Sequence, residues 1–223
     1  MKRFILLSVI ISLSVLVNAQ KVSGGLSFSP IFSWIKTDNK AVESAGSRFS
    51  FGYGAFVDYN FTDNFSFSTG INVNEMGGRV KYVDSLMFEY EGVLDTLPAG
   101  VRVLYKTRYV EIPLSIKGKT NEIGYLTYFM KAGISPMFRW KASGDIDTKD
   151  EIKDINIKDE VRLFNLAFHV GAGFEYSLGG NTALITEIIY YNGLSDITPD
   201  NTDRLNDYNV LTHQFMLKVG IKF

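Results

Sequence analysis

Residues 109–117 read Tyr-Val-Glu-Ile-Pro-Leu-Ser-Ile-Lys. Val110, Ile112, Leu114 and Ile116 recur at the two-residue spacing of a β-strand with one apolar face. Glu111 and Pro113 fall between them. A lone carboxylate in an apolar core is very unfavourable, and proline is normally confined to strand edges or bulges. A wall with hydrocarbon on one side and a polar lumen on the other accepts both. Val110, Ile112, Leu114 and Ile116 would then touch lipid, while Glu111 and Lys117 would point inward. Pro113 removes one ladder donor, so a bulge or an unpaired stretch is expected there.

The same alternation recurs in seven further segments. They are 22–35, 48–61, 65–74, 125–141, 164–177, 182–192 and 211–223, beside this one at about 108–117. In 48–61 the row Phe49, Phe51, Tyr53, Ala55, Val57, Tyr59, Phe61 opposes Ser50, Gly52, Gly54, Asp58 and Asn60, with Phe56 as the exception. Phe129 and Met137 are exceptions in 125–141, and Ile185 and Ile189 share the face of Glu187 in 182–192. The connections alternate in length. Short links at 62–64, 118–124 and 178–181 interleave with long ones at about 36–47, 75–107, 142–163 and 193–210. Short turns at one end and long loops at the other are the layout of an outer-membrane barrel. The expected fold is all-β, an eight-stranded antiparallel up-and-down transmembrane β-barrel over 20–223. An even strand number puts both termini on the short-turn, periplasmic side. A soluble eight-strand barrel would turn its apolar side chains inward, and so many Phe, Trp and Tyr would overfill it.

Composition agrees. The 223 residues are 14% aromatic, with 17 Phe, 12 Tyr and 20 Gly, residues suited to strands, interfacial belts and tight turns. Cys is absent, which excludes disulfides and thiolate metal sites. Near-neutral charge offers no basic surface for nucleic acid. The N-terminus, MKRFILLSVIISLSVLVNAQ, joins Lys2 and Arg3 to an apolar run from Phe4 to Val17 and ends on Asn18-Ala19-Gln20. That three-part build is a secretory signal over 1–19, and the run is short for a membrane anchor. Cleavage removes two of the 23 basic residues, leaving 21 against 24 acidic.

The segments RYVEIPLSIKG, HVGAGFEYSLGGN, EIIYYNGLSDI and MLKVGIKF resemble, in order, the fourth, sixth, seventh and closing strands of the PorT-like outer-membrane β-barrel proteins of Bacteroidetes. The likeness spans about 20–223. Ile189 departs from it, standing where members often carry a basic residue beside the strand-seven glutamate. The resemblance implies an eight-strand barrel in the outer membrane. Its named member is associated with protein secretion, and most members have no assigned activity.

The candidate lumen residues are Asp58, Glu111, Lys131, Arg139, His169, Glu175, Glu187, Lys218 and Lys222. Two readings fit them, a proton or ion path and a salt-bridged plug. The plug is favoured because an eight-strand barrel is filled by its own side chains, with Lys131, Arg139, Lys218 and Lys222 as partners for inward acids such as Glu111. Phe223 closes the last strand as an aromatic terminus that the barrel-assembly machinery would read. His213 falls on the apolar side near the outer interface, as a polar residue at the membrane edge. The next outward residue, Phe215, is no nucleophile and no Gly-x-Ser-x-Gly is present, so catalysis is not expected. Loop 193–210 carries Asp196, Asp200, Asp203 and Asp207, at spacings unlike a calcium loop. No cofactor or metal is expected. Loop 75–107 contains two strand-like pieces and would form a hairpin above the membrane. Functionally the chain reads as an integral outer-membrane barrel without an open pore, structural or binding through its loops. Its partners would be outer-membrane lipid, the assembly machinery, and a surface protein or glycan. The alternatives are an accessory subunit of a secretion or uptake complex, and a lipid-modifying enzyme.

Overall fold

A computed structural model describes residues 21–38, 41–147, 152–198 and 210–223. The signal segment and Asp200, Asp203 and Asp207 lie outside the described residues. The strands are β1 (Val22–Thr37), β2 (Val42–Asn60), β3 (Phe65–Tyr82), β4 (Leu86–Tyr90), β5 (Val93–Leu97), β6 (Arg102–Glu111), β7 (Leu114–Lys119), β8 (Leu126–Asp147), β9 (Ile152–Asn156), β10 (Phe164–Gly179), β11 (Thr182–Gly193) and β12 (Val210–Lys222). A 3-10 turn, Lys158–Glu160, precedes β10.

Eight staves close into a ring. β1 pairs with β2, β2 with β3, β3 with β6 and β7, these with β8, β8 with β10, β10 with β11, β11 with β12, and β12 with β1, all antiparallel. Gly24 N donates to Phe223 O at 3.0 Å and Phe223 N to Gly24 O at 2.8 Å, so the aromatic terminus is tied into the closing seam. Closure matters because hydrocarbon offers no partner to an open strand edge. Among the described residues no helix is long and apolar enough to span a membrane; strands do the crossing. The tight β10–β11 link needs Gly179 and Gly180, whose φ angles are +105° and +60°, a region that disfavours other residues.

The fourth stave is broken where the sequence said it would be. β6 ends at Glu111 and β7 starts at Leu114. Glu111 faces Met137 and Leu114 faces Ile134 in one continuous register, and the register with β3 is equally continuous. The interruption is therefore an unpaired step at Ile112–Pro113 and not a bulge. Ile112 N still reaches Pro136 O at 3.0 Å. A bulge lies higher, on the facing β8, where Trp140 is the extra residue opposite Arg108 and Tyr109.

The two faces are as expected. Leu26, Phe28, Phe49, Phe51, Ile71, Ile116, Met130, Ile134, Ile188, Phe215 and Ile221 are exposed on the outside, whereas Ser27, Ser29, Ser50, Asn72, Asn74, Ser115 and Ser135 are buried inside. Phe56, Phe129 and Ile185, the pattern breakers, form a small apolar cluster of their own, and Met137 and Ile189 join the larger one.

The strands run well past the alternating segments. Much of the expected loops 36–47, 75–107 and 142–163 is strand, extending β2, β3, β6 and β8 outward. On β3 the outward row changes from Ile71 and Val73 to Glu75, Arg79 and Lys81. Its inward row changes from Asn72 and Asn74 to Met76, Val80 and Tyr82. Polarity inverts at the top of the lipid-facing band, because above it water is outside. The extension thus has an apolar core, including Val42, Met76, Val80, Tyr82, Val103, Tyr105, Ile146 and Ile157. The separate β4–β5 hairpin places Phe88 and Leu97 in that core, with the Phe88 ring edge-on to Tyr105 at 6.5 Å.

Candidate functional site: the lumen plug

The inward rows place charges at one level from strands far apart in sequence. Nearest the short-turn mouth, Lys117 on β7 donates to Asp58 Oδ2 of β2 at 2.8 Å and to Glu175 Oε1 of β10 at 2.6 Å. Lys222 of β12 engages the other oxygen of Glu175. Phe129 lies under the Lys117 ammonium, 4.2 Å from it, a further favourable contact for a desolvated cation.

Above this layer Lys131 on β8 donates to Glu187 Oε2 on β11 at 2.8 Å. The pair spans the intervening β10, whose inward residues there are Gly171 and Gly173. A Cβ on Gly171 would meet Glu187 Oε1 at 2.5 Å, so the glycine leaves the room that the ion pair occupies. Lys218 of β12 stands opposite Glu187 in register and 5.6 Å from the Phe56 ring.

The third layer surrounds Glu111. Its Oε2 accepts from Asn72 at 3.1 Å and Asn74 at 2.6 Å, and its Oε1 from the Ser135 hydroxyl at 2.6 Å. Ser135 Oγ is also 2.9 Å from His169 Nδ1, and His169 Nε2 is 2.7 Å from Ser115 Oγ. Ser135 gives its proton to the carboxylate, so its oxygen accepts from His169 Nδ1–H, while Nε2 and the Ser115 hydroxyl form the second contact. Tyr191 packs on the ring at 5.3 Å.

Asp58, Glu111, Glu175 and Glu187 are thus matched in formal charge by Lys117, Lys131, Lys218 and Lys222, and all but Lys222 are buried. Paired and hydrogen-bonded, such groups tolerate a site that would otherwise exclude them. A cavity of about 10 Å³ lies between Asp58, Lys131, Glu187 and Lys218, room for roughly one water. On the outer side Ile31, Tyr109, Met137, Ala167, Ile189 and Met216, from six strands, belong to the apolar cluster that continues into the extension. Below, the mouth widens into a vestibule of about 640 Å³ lined by Asn60, Lys119, Glu122, Glu175, Lys222 and others.

Two expectations are corrected. Arg139 is not in the lumen network: it sits at the rim, beside the β6–β8 bulge, and its guanidinium donates to the carbonyls of Lys158 and Val161. Glu111 takes its hydrogen bonds from amides and a hydroxyl, not from a lysine. The sequence reading also left out Lys117 as a site residue, and with it Asn72, Asn74, Ser115 and Ser135. Their signal was shared parity with Glu111 and Asp58 on inward rows. His213 does lie at the outer rim on the outward side, but it is only 7% exposed. It stacks on Trp34 at 5.7 Å, and its Nδ1 is 3.1 Å from the Tyr190 hydroxyl. Among the described residues no group of three His, Asp or Glu is placed to hold a metal ion.

The family model described as outer membrane protein beta-barrel domain matches residues 18–199. No curated protein matches the sequence. Among solved structures, the attachment invasion locus protein Ail of Yersinia pestis is similar at 13% identity and TM-score 0.42, covering 91% of this chain and 99% of that one. Neisserial surface protein A is similar at 12% identity and TM-score 0.46, covering 90% and 97%. The outer membrane protein OprG of Pseudomonas aeruginosa is similar at 12% identity and TM-score 0.48, covering 91% and 97%.

Proposed function

The chain belongs to the outer membrane protein beta-barrel domain family, and on that premise we propose that it is a non-conducting barrel whose external extension binds a surface protein or glycan. It reaches its membrane by the signal over 1–19, with Phe223 in the closing seam as the mark for the assembly machinery. Within the family it is of the PorT-like kind. The observation that carries this reading is the lumen itself. Three hydrogen-bonded layers, whose four acids and four lysines match in formal charge when taken together, and an apolar collar fill it, while the extension above has a core able to hold a defined surface. Catalysis is no part of the reading, because Ser115 and His169 are buried in the lumen beneath the apolar collar.

Planar-bilayer recording of the purified barrel tests the first half, with no stepwise conductance expected. Steady ohmic channels from folded protein would overturn it. Crosslinking on intact cells from positions in 75–107 and 142–163 tests the second. A discrete extracellular adduct is expected. Adducts only with a periplasmic or secretion component would favour an accessory subunit instead.

A further inference from the structure

The outward face just above the lipid band is not uniform around the barrel. On β1, β11 and β12 it is aromatic, with Trp34, Tyr190 and His213 stacked together. On β3, β6 and β8 it is ionic. Arg108 follows Val110 by one outward position, Glu75 follows Val73, and Lys141 follows the exposed Trp140. The first two steps are about 7 Å along a strand and the third, at the bulge, about 3 Å, so these groups stand at the depth of lipid headgroups. Between Gly46 and Gly52 β2 parts from β3, and Arg48 fills the gap, donating to Met76 O at 3.2 Å and Glu75 Oε2 at 3.1 Å.

Arg48, Glu75, Lys106, Arg108, Lys141 and Asp154 line a groove of about 220 Å³. Arg108 approaches one Glu75 oxygen through Nε and Nη2. Burial works to raise the Glu75 carboxyl, but the hydrogen bonds and charges of Arg108 and Arg48 outweigh it and hold it below the usual carboxylate range. The trio therefore carries one positive charge. Lys106 is matched by Asp145 at 2.6 Å. Lys141 meets Asp154 only at 3.7 Å, with the two side chains 57% and 63% exposed, a loose pair of small worth. Arg108 and Lys141 face each other in register, so two cations with donors to spare flank one groove directly over a lipid-facing wall.

We propose that this groove binds the phosphate-bearing headgroup of a saccharolipid of the surrounding outer leaflet. The phosphate would lie between Arg108 and Lys141, with Arg48 and Lys106 behind it and the acyl chains against Val110, Ile112 and Phe138. Arginine and lysine in this arrangement suit a phosphate on its exposed oxygens. The inference rests on the outer-membrane reading above.

The test uses the full-length barrel in phosphatidylcholine nanodiscs doped with phosphorylated lipid A, or with the same lipid after phosphatase treatment. Native mass spectrometry reads the lipid retained on mild release. Wild type should retain the phosphorylated form selectively, and R108Q/K141Q should lose retention by about tenfold. K81Q, whose partner Glu43 lies outside the groove, should not change it. Equal retention of the two lipids, or undiminished retention by the double variant, overturns the proposal. So does full competition by inorganic phosphate, which would mark a site for free anion. The single variants R108Q and K141Q serve if the double variant does not fold. Heat-dependent gel mobility separates the two levels: wild type without it fails as a barrel, whereas a heat-modifiable barrel without lipid selectivity fails only here.

Discussion

Lys117 is the residue on which the lumen turns, since one ammonium serves Asp58 and Glu175 together. Its replacement by Met leaves the buried Asp58 carboxylate without its cation and Glu175 with Lys222 alone, and loss of one partner from such a set destabilises by about 3–5 kcal/mol. The urea midpoint of the folded, heat-modifiable band should fall accordingly for K117M. Adding D58N, with Glu175 kept for Lys222, should recover most of the loss. A K117M barrel as stable as wild type would show that the pairing contributes nothing. At this scale the sequence showed which charges face inward, because parity is local. It did not show that Lys117 would take Asp58 and Glu175 while Glu111 would take Asn72, Asn74 and Ser135. Those choices depend on how far each strand is displaced along its neighbours, a sum over the whole ring.

Among the elements, the fourth stave is the informative one. Successive N–H groups point to opposite neighbours. Since Ile112 N bonds to β8, a donor at position 113 would point to β3 across an unbroken register. P113A should therefore raise the stability read from urea unfolding by about 1 kcal/mol, with the fold unchanged; a comparable fall would mean that the proline itself holds the stave in place. Outward residues obey a different rule. I134R on β8 puts a cation against hydrocarbon and should destabilise the barrel by about 2–4 kcal/mol. A neutral result would mean that this face does not meet lipid. The same stave shows why strand ends were misplaced. Above Val73 and Val110 the two-residue period persists, but inside and outside exchange polarity. Arg102, Lys106 and Arg108 alternate with Val103, Tyr105 and Thr107, and a reading tuned to apolar-outward rows takes this for loop.

As a whole the molecule consists of two tiers joined by continuous strands. The lower tier is held by lipid and the charge-compensated lumen, the upper by an ordinary apolar core with ion pairs on its outside. The tiers should respond differently to acid. Burial raises the carboxyls of Glu75 and Asp145, but Arg108 and Arg48 in the first case, and Lys106 with the Asp154 N–H in the second, depress both overall. A depressed folded pKa adds stability above the ordinary carboxylate range, and that stability is lost as pH falls through the folded value. Protease cleavage within 75–107 and 142–163 should thus increase below about pH 4, while heat-modifiable mobility survives. Simultaneous loss of both would show a single cooperative unit. F88A should open the same loops at neutral pH, since truncating a fully buried Phe costs about 3–5 kcal/mol.

The alternation of residue types by itself determined the all-β class, the eight membrane segments, the face that meets lipid and the break at Pro113, because a strand writes its two environments into neighbouring residues. The tertiary structure alone decided the ion-pair partners, the serine contacts of His169, the apolar collar, the displacement of Arg139 to the rim and the groove at Arg108 and Lys141. Each of these depends on register, closure and the height at which solvent replaces hydrocarbon, and none of those quantities is carried by a single segment.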